Sequence, residues 1–375
     1  MKNVRFYRVG CPCGEYCGGS GGGRRGGAQS GDDSEPRRVG RLIRKLGKPE
    51  SLRVCYEAGP TGYVLYWQLT ELGVRCEVVA PTLVPVKAGD RVKTDRRDAE
   101  KLARCYRAGD LTAVWVPDRA HEALRDLVRA RLAGKRDQLR ARHRLGKFLL
   151  RQGRAAPEGT TAWTGKYLTW VKQQSFEHPA QEATLLDYLH EVEHAASRIV
   201  RLERAIDAAV EAMPESLQAV IAGLQCLRGV AKVSAVTLVS ELGQLSRFAK
   251  ARQLMGYAGM VSREYSSGQS VRRGAISKAG NAHLRRIVTE AAWSYRHRPN
   301  LGATLNARQS AQSQTVKAIA WRAQHRLHDR YRALLAKGKT KQKVITALAR
   351  ELLGFIWAIG CQIERNEATE VRRAA

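Results

Sequence analysis

The chain has 375 residues, in which 65 Lys and Arg stand against 35 Asp and Glu, a formal net charge of +30. A surplus of that size must be solvated or neutralised, and nucleic acid is the usual polyanion for a soluble protein, the alternatives being a ribosome-associated protein or a basic enzyme of an Arg-rich genome. Hydrophobic residues make up 43 % of the sequence, which excludes a disordered basic tail. No apolar run reaches the ~18 residues of a membrane span, and the N-terminus has no apolar signal core, so we expect no membrane and a cytoplasmic, nucleoid-associated protein.

Residues 1–37 differ in composition from the rest of the chain. Residues 10–31 contain ten Gly and no periodic apolar pattern, which predicts an irregular segment. Cys11, Cys13 and Cys17 cluster here. No matching Cys or His pair follows at zinc-site spacing, so we expect no zinc site.

Residues 38–118 alternate between strand and helix patterns, which predicts an α/β domain with a parallel or mixed sheet. The predicted elements are strands at 52–56, 75–79 and 114–116 and helices at 63–72 and 98–108, with a basic segment at 87–97. The first of these strands ends at Glu57, where side chains of α/β sheets project into a ligand crevice.

Residues 119–215 are predicted to be helical, residues 216–364 to form a mainly helical domain, and residues 365–375 to be a disordered tail. Apolar residues recur three and four apart in the first region, with Glu203 at the one charged seam position; they are Leu185, Leu189, Val192, Ala196, Ile199, Ile206, Val210 and Met213. This heptad pattern predicts an antiparallel or intersubunit coiled coil, although an amphipathic helix on a local core fits it nearly as well.

Three carboxylates suggest a divalent metal site. Asp95 and Asp98 lie three residues apart, so a helix starting there would put both on one face, toward Glu57. The basic residues beside them are Lys93, Arg96 and Arg97. Converging carboxylates suit Mg²⁺, and two such ions can activate the attacking oxygen and stabilise the leaving oxygen of a phosphodiester. The alternative is that Asp95 caps the helix and Asp98 is an ordinary acid of its first turn.

Two serines lie in the most basic turn of the C-terminal domain. Ser266 and Ser267 precede Gly268, and the basic residues close to them in sequence are Arg263, Arg272, Arg273, Lys278, Arg285 and Arg286. Guanidinium forks can neutralise a phosphate that a hydroxyl attacks. Either serine fits the part of nucleophile, and the alternative is a polar turn whose arginines only grip phosphate.

Residues 227–235 resemble a helix-hairpin-helix turn, which points backbone N–H groups at a DNA phosphate without reading bases. Gly229 and Lys232 would contact nucleic acid there. Ala231 stands where the usual motif has a second Gly.

Together these motifs resemble the transposases of insertion sequences that join a DEDD metal domain to a serine-bearing transposase domain. The matching stretches are YEAGPTGY at 56–63, KTDRRDA at 93–99, GVAKVSA at 229–235, ARQLMGYAG at 251–259, YSSG at 265–268 and ISKAGN at 276–281. The resemblance extends over residues 38–363.

The resemblance implies an α/β RNase H-like (RuvC-like) N-terminal domain, a helical coiled-coil linker and a mainly α C-terminal transposase domain. It implies that Glu57, Asp95 and Asp98 are the second, third and fourth acids of a Mg²⁺-binding DEDD set, and that Ser267 forms a covalent link to DNA. It further implies donor and target DNA as partners and, in some members, a structured RNA made from the element itself. The resemblance also implies a homo-oligomer, a dimer or a tetramer, in which the acids of one subunit meet the serine of another.

The first acid of the set is missing here. In the family it lies on an N-terminal strand in a run resembling Gly-Leu-Asp-Val-His-Lys, whereas this chain has no Asp before Asp32. We therefore predict that residues 4–37 are read in a shifted frame, that the sheet lacks its central first strand, and that the metal site lacks its first ligand.

Three functions remain open at this point. The leading one is a transposase for site-specific DNA recombination with metal-binding carboxylates and a serine nucleophile, inactive in this chain if the first Asp is essential. The second is a non-catalytic DNA- or RNA-binding remnant, which the missing Asp favours. The third is a RuvC-like junction nuclease, which would need no serine.

Overall fold

A computed structural model describes the protein over residues 5–8, 35–86, 89 and 94–374. The chain forms two compact units, residues 1–117 and 118–375. The first unit is α/β and the second is almost entirely helical.

The first unit is built on a three-stranded parallel sheet in the order β1-β2-β3. Its strands are β1 (Arg5–Arg8), β2 (Leu52–Glu57) and β3 (Arg75–Val79), and its helices are α1 (Glu35–Leu46), α2 (Val64–Glu71) and α3 (Asp95–Ala108), with 3₁₀ turns at Pro49–Ser51 and Pro81–Leu83. The predicted strand-helix-strand unit is confirmed by β2, α2 and β3, because the two strands pair in parallel.

Side chains alternate across β2, and both faces of the sheet are covered. Leu52 and Val54 pack in a core with α1 and α2, while Cys55 faces Leu102 of α3 on the other side. Parallel sheets need this double cover because each face carries apolar side chains. Glu57 follows Cys55 by two residues and therefore projects on the α3 face of the sheet.

The prediction that the sheet lacks its first strand is wrong. Residues Arg5–Arg8 pair in parallel with β2, with Arg5 opposite Leu52. Most of the segment predicted to be read in a shifted frame, residues 9–34 with the clustered cysteines, lies outside the described residues.

The predicted strand at 114–116 is also wrong. The chain meets β3 there through a single antiparallel bridge between Ala113 and Val79, and the Val114 N–H donates to the Val78 carbonyl at 2.7 Å. Pro117 follows and has no N–H with which to extend a ladder.

The second unit begins with a long helical hairpin and continues into a helical core that carries one small β-hairpin. Its elements are α4 (Arg119–Arg151), α5 (Gly165–Lys172), α6 (Pro179–Glu211), α7 (Glu215–Leu224), α8 (Lys232–Leu242), α9 (Ala251–Tyr257), β4 (Ser262–Glu264), β5 (Arg273–Ile276), α10 (Ala282–Ala292), a 3₁₀ turn Trp293–Arg296, α11 (Ala303–Gln309), α12 (Gln314–Ala336) and α13 (Lys341–Ala374).

α6 lies antiparallel against α4 of the same chain. Arg144 of α4 pairs with Glu191 at 3.1 Å, whereas the earlier residue Arg131 pairs with the later residue Glu203 at 2.5 Å. The opposite order of the two pairs gives the antiparallel direction. The charged seam residue of the heptad pattern is thus explained, because Glu203 meets an arginine of the facing helix.

The heptad prediction holds for most of its positions. The buried members are Leu185, Leu189, Val192, Ile199, Ile206, Val210 and Met213. Ala195 is buried instead of the predicted Ala196. A straight helix has 3.6 residues per turn and drifts against a strict seven-residue repeat, so one position along the seam is displaced.

α13 runs through the core of the second unit. By length and composition it is apolar enough to cross a membrane, but 56 % of its apolar 18-residue stretch is buried inside the protein. Leu348, Leu352, Leu353 and Ile356 are each 0 % exposed. These features are those of the central helix of a folded core.

The predicted disordered tail is wrong for residues 365–374. α13 continues without interruption to Ala374. The tail sequence Glu-Ala-Thr-Glu-Val-Arg-Arg-Ala contains several good helix formers and no Gly or Pro, so a helix already nucleated by the core can extend through it.

Truncation of Leu352 tests the position of the core. Leu352→Ala should lower the free energy of unfolding by about 3 kcal/mol, because it opens a cavity in a packed core. Leu186→Ala is the matched control, since Leu186 is 52 % exposed and should change stability by less than about 0.5 kcal/mol. Urea unfolding followed by circular dichroism measures both, and equal losses would contradict the assigned core.

Candidate active site and nucleic-acid interface

α3 runs antiparallel to the strands along the face of the sheet that carries Cys55. Near the end of α3, Tyr106 hydrogen-bonds Glu77, and burial together with this carboxylate raises the pKa of the tyrosine hydroxyl. One turn earlier, Leu102 packs against Cys55 and Val79. Val79 lies two residues after Glu77 on β3. Going back one turn along α3, from Tyr106 to Leu102, therefore moves toward the carboxyl ends of the strands.

This direction places the backbone positions of the predicted acids at the end of the sheet where its parallel strands finish. Asp98 lies one turn before Leu102, and Glu57 is the last residue of β2. Four helix residues rise about 6 Å and two strand residues about 6.6 Å, so Asp98 reaches the level of the strand ends, where Glu57 lies. Asp95 is the first residue of α3 and lies one turn further on. We call Glu57, Asp95 and Asp98 the acid edge.

The cap of α3 is Thr94. Its side chain accepts a hydrogen bond from the Arg97 N–H at 3.3 Å. The alternative interpretation in which Asp95 is the cap is therefore wrong, and Asp95 belongs to the first turn of the helix. A hydroxyl at this position satisfies one of the N–H groups that every helix start leaves unpaired.

The acid edge contains the type of ligand that a divalent cation prefers. Glu57 and Asp98 are half-buried carboxylates, and carboxylate oxygens suit Mg²⁺. Among the side chains that the structure describes, no three His, Cys, Asp or Glu lie close enough together to hold a metal. Asp95 and Arg96 are described by their backbone alone, and Lys93 lies outside the described residues. β1 has the sequence Arg-Phe-Tyr-Arg and supplies no acid.

The two serines lie at the tip of a β-hairpin formed by β4 and β5. Ser267 and Ser270 exchange backbone hydrogen bonds of 3.1 and 3.0 Å across a two-residue turn, and Gly268 at its first position has φ +56°. Gln269 does not share the positive φ, which fits a type II′ turn. Both strands and the turn are exposed to solvent at this tip. We call residues 262–276 the serine hairpin.

The two hydroxyls differ in their surroundings. Ser266 Oγ donates to Glu264 Oε1 at 2.9 Å. Ser267 is exposed, and among the described residues no side chain bonds its hydroxyl. Ser267 thus presents its oxygen to solvent, whereas Ser266 is held by its own strand.

The predicted basic residues divide into two groups. Arg263, Arg272, Arg273 and Lys278 are exposed on or beside the serine hairpin. Arg273 pairs with Glu264 at 3.4 Å. The charged groups of Arg263, Arg272 and Lys278 are therefore available to an external phosphate at the hairpin.

The remaining predicted residues make contacts within the protein. Arg285 donates to the carbonyls of Ala258 and Gly280, both at 3.1 Å, and Arg286 grips Glu290 at 2.8 and 2.9 Å. Lys232 pairs with Asp207 at 2.5 Å.

Gly229 packs closely against the end of α10. It has φ +81°, and a Cβ there would lie 2.5 Å from the Ala291 carbonyl oxygen. The absence of a side chain at Gly229 is therefore required by packing inside this unit. Its nucleic-acid contact stays a prediction.

The base of the serine hairpin is closed by backbone contacts. The Lys278 N–H donates to Gly259 at 3.0 Å and the Asn281 N–H donates to Tyr257 at 3.2 Å. Gly280 has φ +117°, and a Cβ there would lie 2.2 Å from the Tyr257 carbonyl oxygen. Only glycine fits this crossing, so the two ends of the hairpin are held together.

A buried carboxylate that the sequence patterns did not identify lies beneath this base. The Glu241 side chain is 1 % exposed and accepts hydrogen bonds from both Nε and Nη2 of Arg129, at 2.9 and 3.0 Å. Asn281 Nδ2 donates to the same carboxylate at 2.6 Å, and Arg125 Nε lies 3.8 Å away. We call Glu241, Arg129, Arg125 and Asn281 the Glu241 network. It joins α4, α8 and the start of α10.

The charge state of Glu241 is fixed by these partners. Burial by itself raises the pKa of the carboxyl, but hydrogen bonds from Arg129 and Asn281 and the charges of Arg129 and Arg125 outweigh it. The pKa of Glu241 therefore lies below its ordinary value of 4.5. A lone acid in the apolar run Val-Ser-Ala-Val-Thr-Leu-Val-Ser-Glu-Leu was the sequence signal that could have revealed it.

Acid titration tests the Glu241 network. A depressed folded-state pKa adds stability that is present above the unfolded pKa and is lost as the pH falls through the folded one. At about pH 7, Glu241→Gln should cost about 3 kcal/mol, because Arg125 and Arg129 lose their counter-charge. The gap to the wild type should close as the pH falls below 4.5.

Glu290→Gln is the control for this titration, since Glu290 is a carboxylate that is 59 % exposed and pairs with Arg286 on the surface of α10. It should cost less than about 1 kcal/mol at any pH. The urea midpoints of unfolding of the wild type and both variants, measured across a pH series, give these stability differences. A Glu241→Gln loss that stays constant down to acid pH would contradict the assignment.

Two family models match the chain. A DEDD transposase model matches residues 33–152, and a model described as "Transposase IS116/IS110/IS902 family" matches residues 222–306. A Sinorhizobium fredii protein named "Putative transposase y4qE" is 46 % identical over 323 residues, which are 86 % of this chain and 78 % of that protein. The transposase for insertion sequence element IS1533 of Leptospira borgpetersenii is 33 % identical over 305 residues, or 80 % of this chain and 88 % of that protein.

The DEDD match implies an RNase H-like fold for the first unit, in agreement with its parallel sheet, and a divalent metal ion as the family's usual cofactor. The two matched segments cover the acid edge and the serine hairpin respectively. With relatives of this identity and coverage, the chain belongs to the IS116/IS110/IS902 family of insertion-sequence transposases.

Proposed function

We propose that this transposase attacks DNA through Ser267 and uses a divalent metal ion, Mg²⁺, bound at the acid edge. The observation that carries the proposal is the serine hairpin, which exposes a Ser267 hydroxyl among cationic side chains. A polar turn that only bonds its own backbone would have no need of such a concentration of positive charge.

The chemistry follows from the groups at the hairpin. The Ser267 oxygen bonds to the phosphorus of a phosphodiester, and the bond from that phosphorus to the sugar oxygen of the leaving strand breaks. The serine hydroxyl gives up its proton and the leaving sugar oxygen gains one, so the step balances. Arg263 and Arg272 neutralise the non-bridging oxygens, whose charge grows in the transition state.

The acid edge contributes through its ion. Glu57, Asp95 and Asp98 would hold Mg²⁺, which supplies Lewis-acid polarisation of a phosphate oxygen. Because β1 carries no acid, this set is one carboxylate short of the four in a DEDD site. We propose that this chain is therefore catalytically inactive or nearly so, and that residues 4–37 are encoded in a shifted reading frame.

The proposed partners are donor and target DNA, a structured RNA from the element's own end, and further copies of the chain. In a homo-oligomer, dimer or tetramer, the serine hairpin of one copy would serve the acid edge of another. The net charge of +30 supports polyanionic partners. Association with the bacterial nucleoid would follow from the same charge.

A second function is favoured by the acid-free β1. A chain that has lost its first metal ligand can keep the exposed cations of the serine hairpin and still bind nucleic acid. In that case the protein is a DNA- or RNA-binding remnant of a transposase.

A covalent adduct tests the nucleophile. The chain is mixed with Mg²⁺, element-end DNA, target DNA and element RNA, and then denatured, and a labelled DNA strand is followed on a gel. In the chain with its reading frame restored, Ser267→Ala should lower adduct formation by about 10⁴-fold or more, because the attacking oxygen is gone. The adduct should be faint or absent with the chain as given and strong after the reading frame is restored.

Ser266→Ala is the matched control, because it removes the neighbouring hydroxyl that Glu264 holds. It should keep the adduct. An adduct that survives Ser267→Ala and disappears in Ser266→Ala would overturn the assignment of the nucleophile. Cleavage without any adduct would favour the junction nuclease, and binding alone, even after frame repair, would favour the remnant.

A further inference from the structure

A groove lies in the second unit on the side of β5, between the serine hairpin and the last two long helices. Its volume is about 1050 Å³. One wall is formed by β5 and α9, and the other by the end of α12 and the first turns of α13. This volume is at the upper limit for small-ligand pockets, so the groove has room for a segment of a polymer.

The lining of the groove is strongly basic. Seven of its described lining residues are Arg or Lys and one, Glu351, is acidic. Glu351 is already engaged by Arg326 at 3.2 Å and by Arg330 at 2.5 Å. The acid therefore does not compensate the other cations.

Five of the lining cations have no carboxylate partner among the described residues. They are Arg252, Lys278, Lys339, Lys343 and Arg350, and all five are exposed. Exposed cations that converge on one concave surface focus a positive potential there. Such a surface selects a polyanion as its ligand.

The spacing along α13 fits a chain of phosphates. Lys343 and Arg350 are seven residues apart, which is two turns and about 10 Å along one helix face. Phosphates of one strand of a duplex follow each other at about 3.4 Å along the axis, so these two side chains meet different phosphates.

The apolar lining of the groove indicates which part of the polymer is bound. Its large apolar residues are Met255, Met260 and Ile276, and none of the described lining residues is aromatic. Base-stacking platforms need aromatic rings, whereas backbone contacts need only cations. The groove therefore suits the sugar–phosphate backbone, without a preference for sequence.

We propose that this groove is a binding site for the phosphodiester backbone of a nucleic-acid strand, held by Arg252, Lys278, Lys339, Lys343 and Arg350. It deepens the proposed function and rests on it in one respect: β5 is shared by the groove and the serine hairpin, so the bound strand passes the hairpin that carries Ser267. The α12–α13 wall lies outside both segments that the family models match.

Salt dependence of binding tests the site. The full chain carrying Ser267→Ala, which binds without forming an adduct, is compared with the same chain carrying Lys339→Gln and Lys343→Gln in addition. Fluorescence anisotropy with an oligothymidylate of about 16 nucleotides, over a series of salt concentrations, gives the slope of log K against log salt. Two lost phosphate contacts should make that negative slope shallower, reducing its magnitude by about 1.4.

A second double variant controls for net charge. Lys147→Gln with Lys166→Gln removes the same two charges from exposed positions on α4 and α5. Its slope should equal that of the parent. Equal slopes for the parent and both double variants would overturn the proposed binding site. An equal reduction of the slope in both double variants would overturn it as well.

The probe is varied to identify the polynucleotide. An RNA strand and a DNA duplex of matching length are measured in the same way. A selective fall with DNA, with RNA or with both supports the groove and names its ligand, and no fall with any of them overturns it. Because no adduct is measured, loss of the groove and failure of Ser267 as nucleophile are distinguished.

Discussion

The arrangement of the second unit depends on one buried ion pair, in which Arg129 grips the Glu241 carboxylate with two hydrogen bonds. A carboxylate excluded from water is costly unless its charge and both oxygens are satisfied. Here the partners come from separate parts of the chain, and Asn281 supplies the third hydrogen bond. The network therefore fixes the long helical hairpin against the domain that bears Ser267.

Asn281 transmits this constraint to the site. Its side chain bonds Glu241 and also accepts from the Leu284 N–H at 3.0 Å, which caps α10. Its N–H bonds the Tyr257 carbonyl, where the crossing at Gly280 closes the hairpin base. A rigid base below an exposed tip is a suitable support for a nucleophile that must meet a phosphate in a defined geometry.

Local patterns in the sequence predicted much of the fold. The apolar runs before Glu57 and Pro81 predicted the parallel pair β2 and β3. The segment between the two runs has room for one helix with short turns, and a single crossover helix joins parallel strands. The heptad spacing predicted the α6 seam, and the facing helix proved to be α4 of the same chain.

The errors have physical causes. A tail without Gly or Pro extends α13, because propagation of a helix is easy once the core has nucleated it. The exact cap of α3, Thr94, depends on backbone geometry that the acid spacing does not reveal.

The site was less predictable than the fold. Ser267 and the acid edge carry short motifs, whereas Glu241 is a single acid in an apolar helix, and its partner Arg129 lies 112 residues earlier. Lys339, Lys343 and Arg350 converge with Arg252 only after α13 has packed beside α9. Such long-range contacts leave no spacing in the sequence. The charge of +30 indicates that a polyanion binds but gives no position for it.

Hydrogen exchange across the hairpin base measures the central claim most directly. In full-length Glu241→Gln, the amides of residues 277–281 should exchange faster than in the wild type, because Asn281 loses its charged acceptor. Amides of α13 around Leu352 should keep their wild-type rates. Unchanged exchange at 277–281, or an equal rise throughout the second unit, would contradict the claim that the buried carboxylate holds the serine hairpin in place.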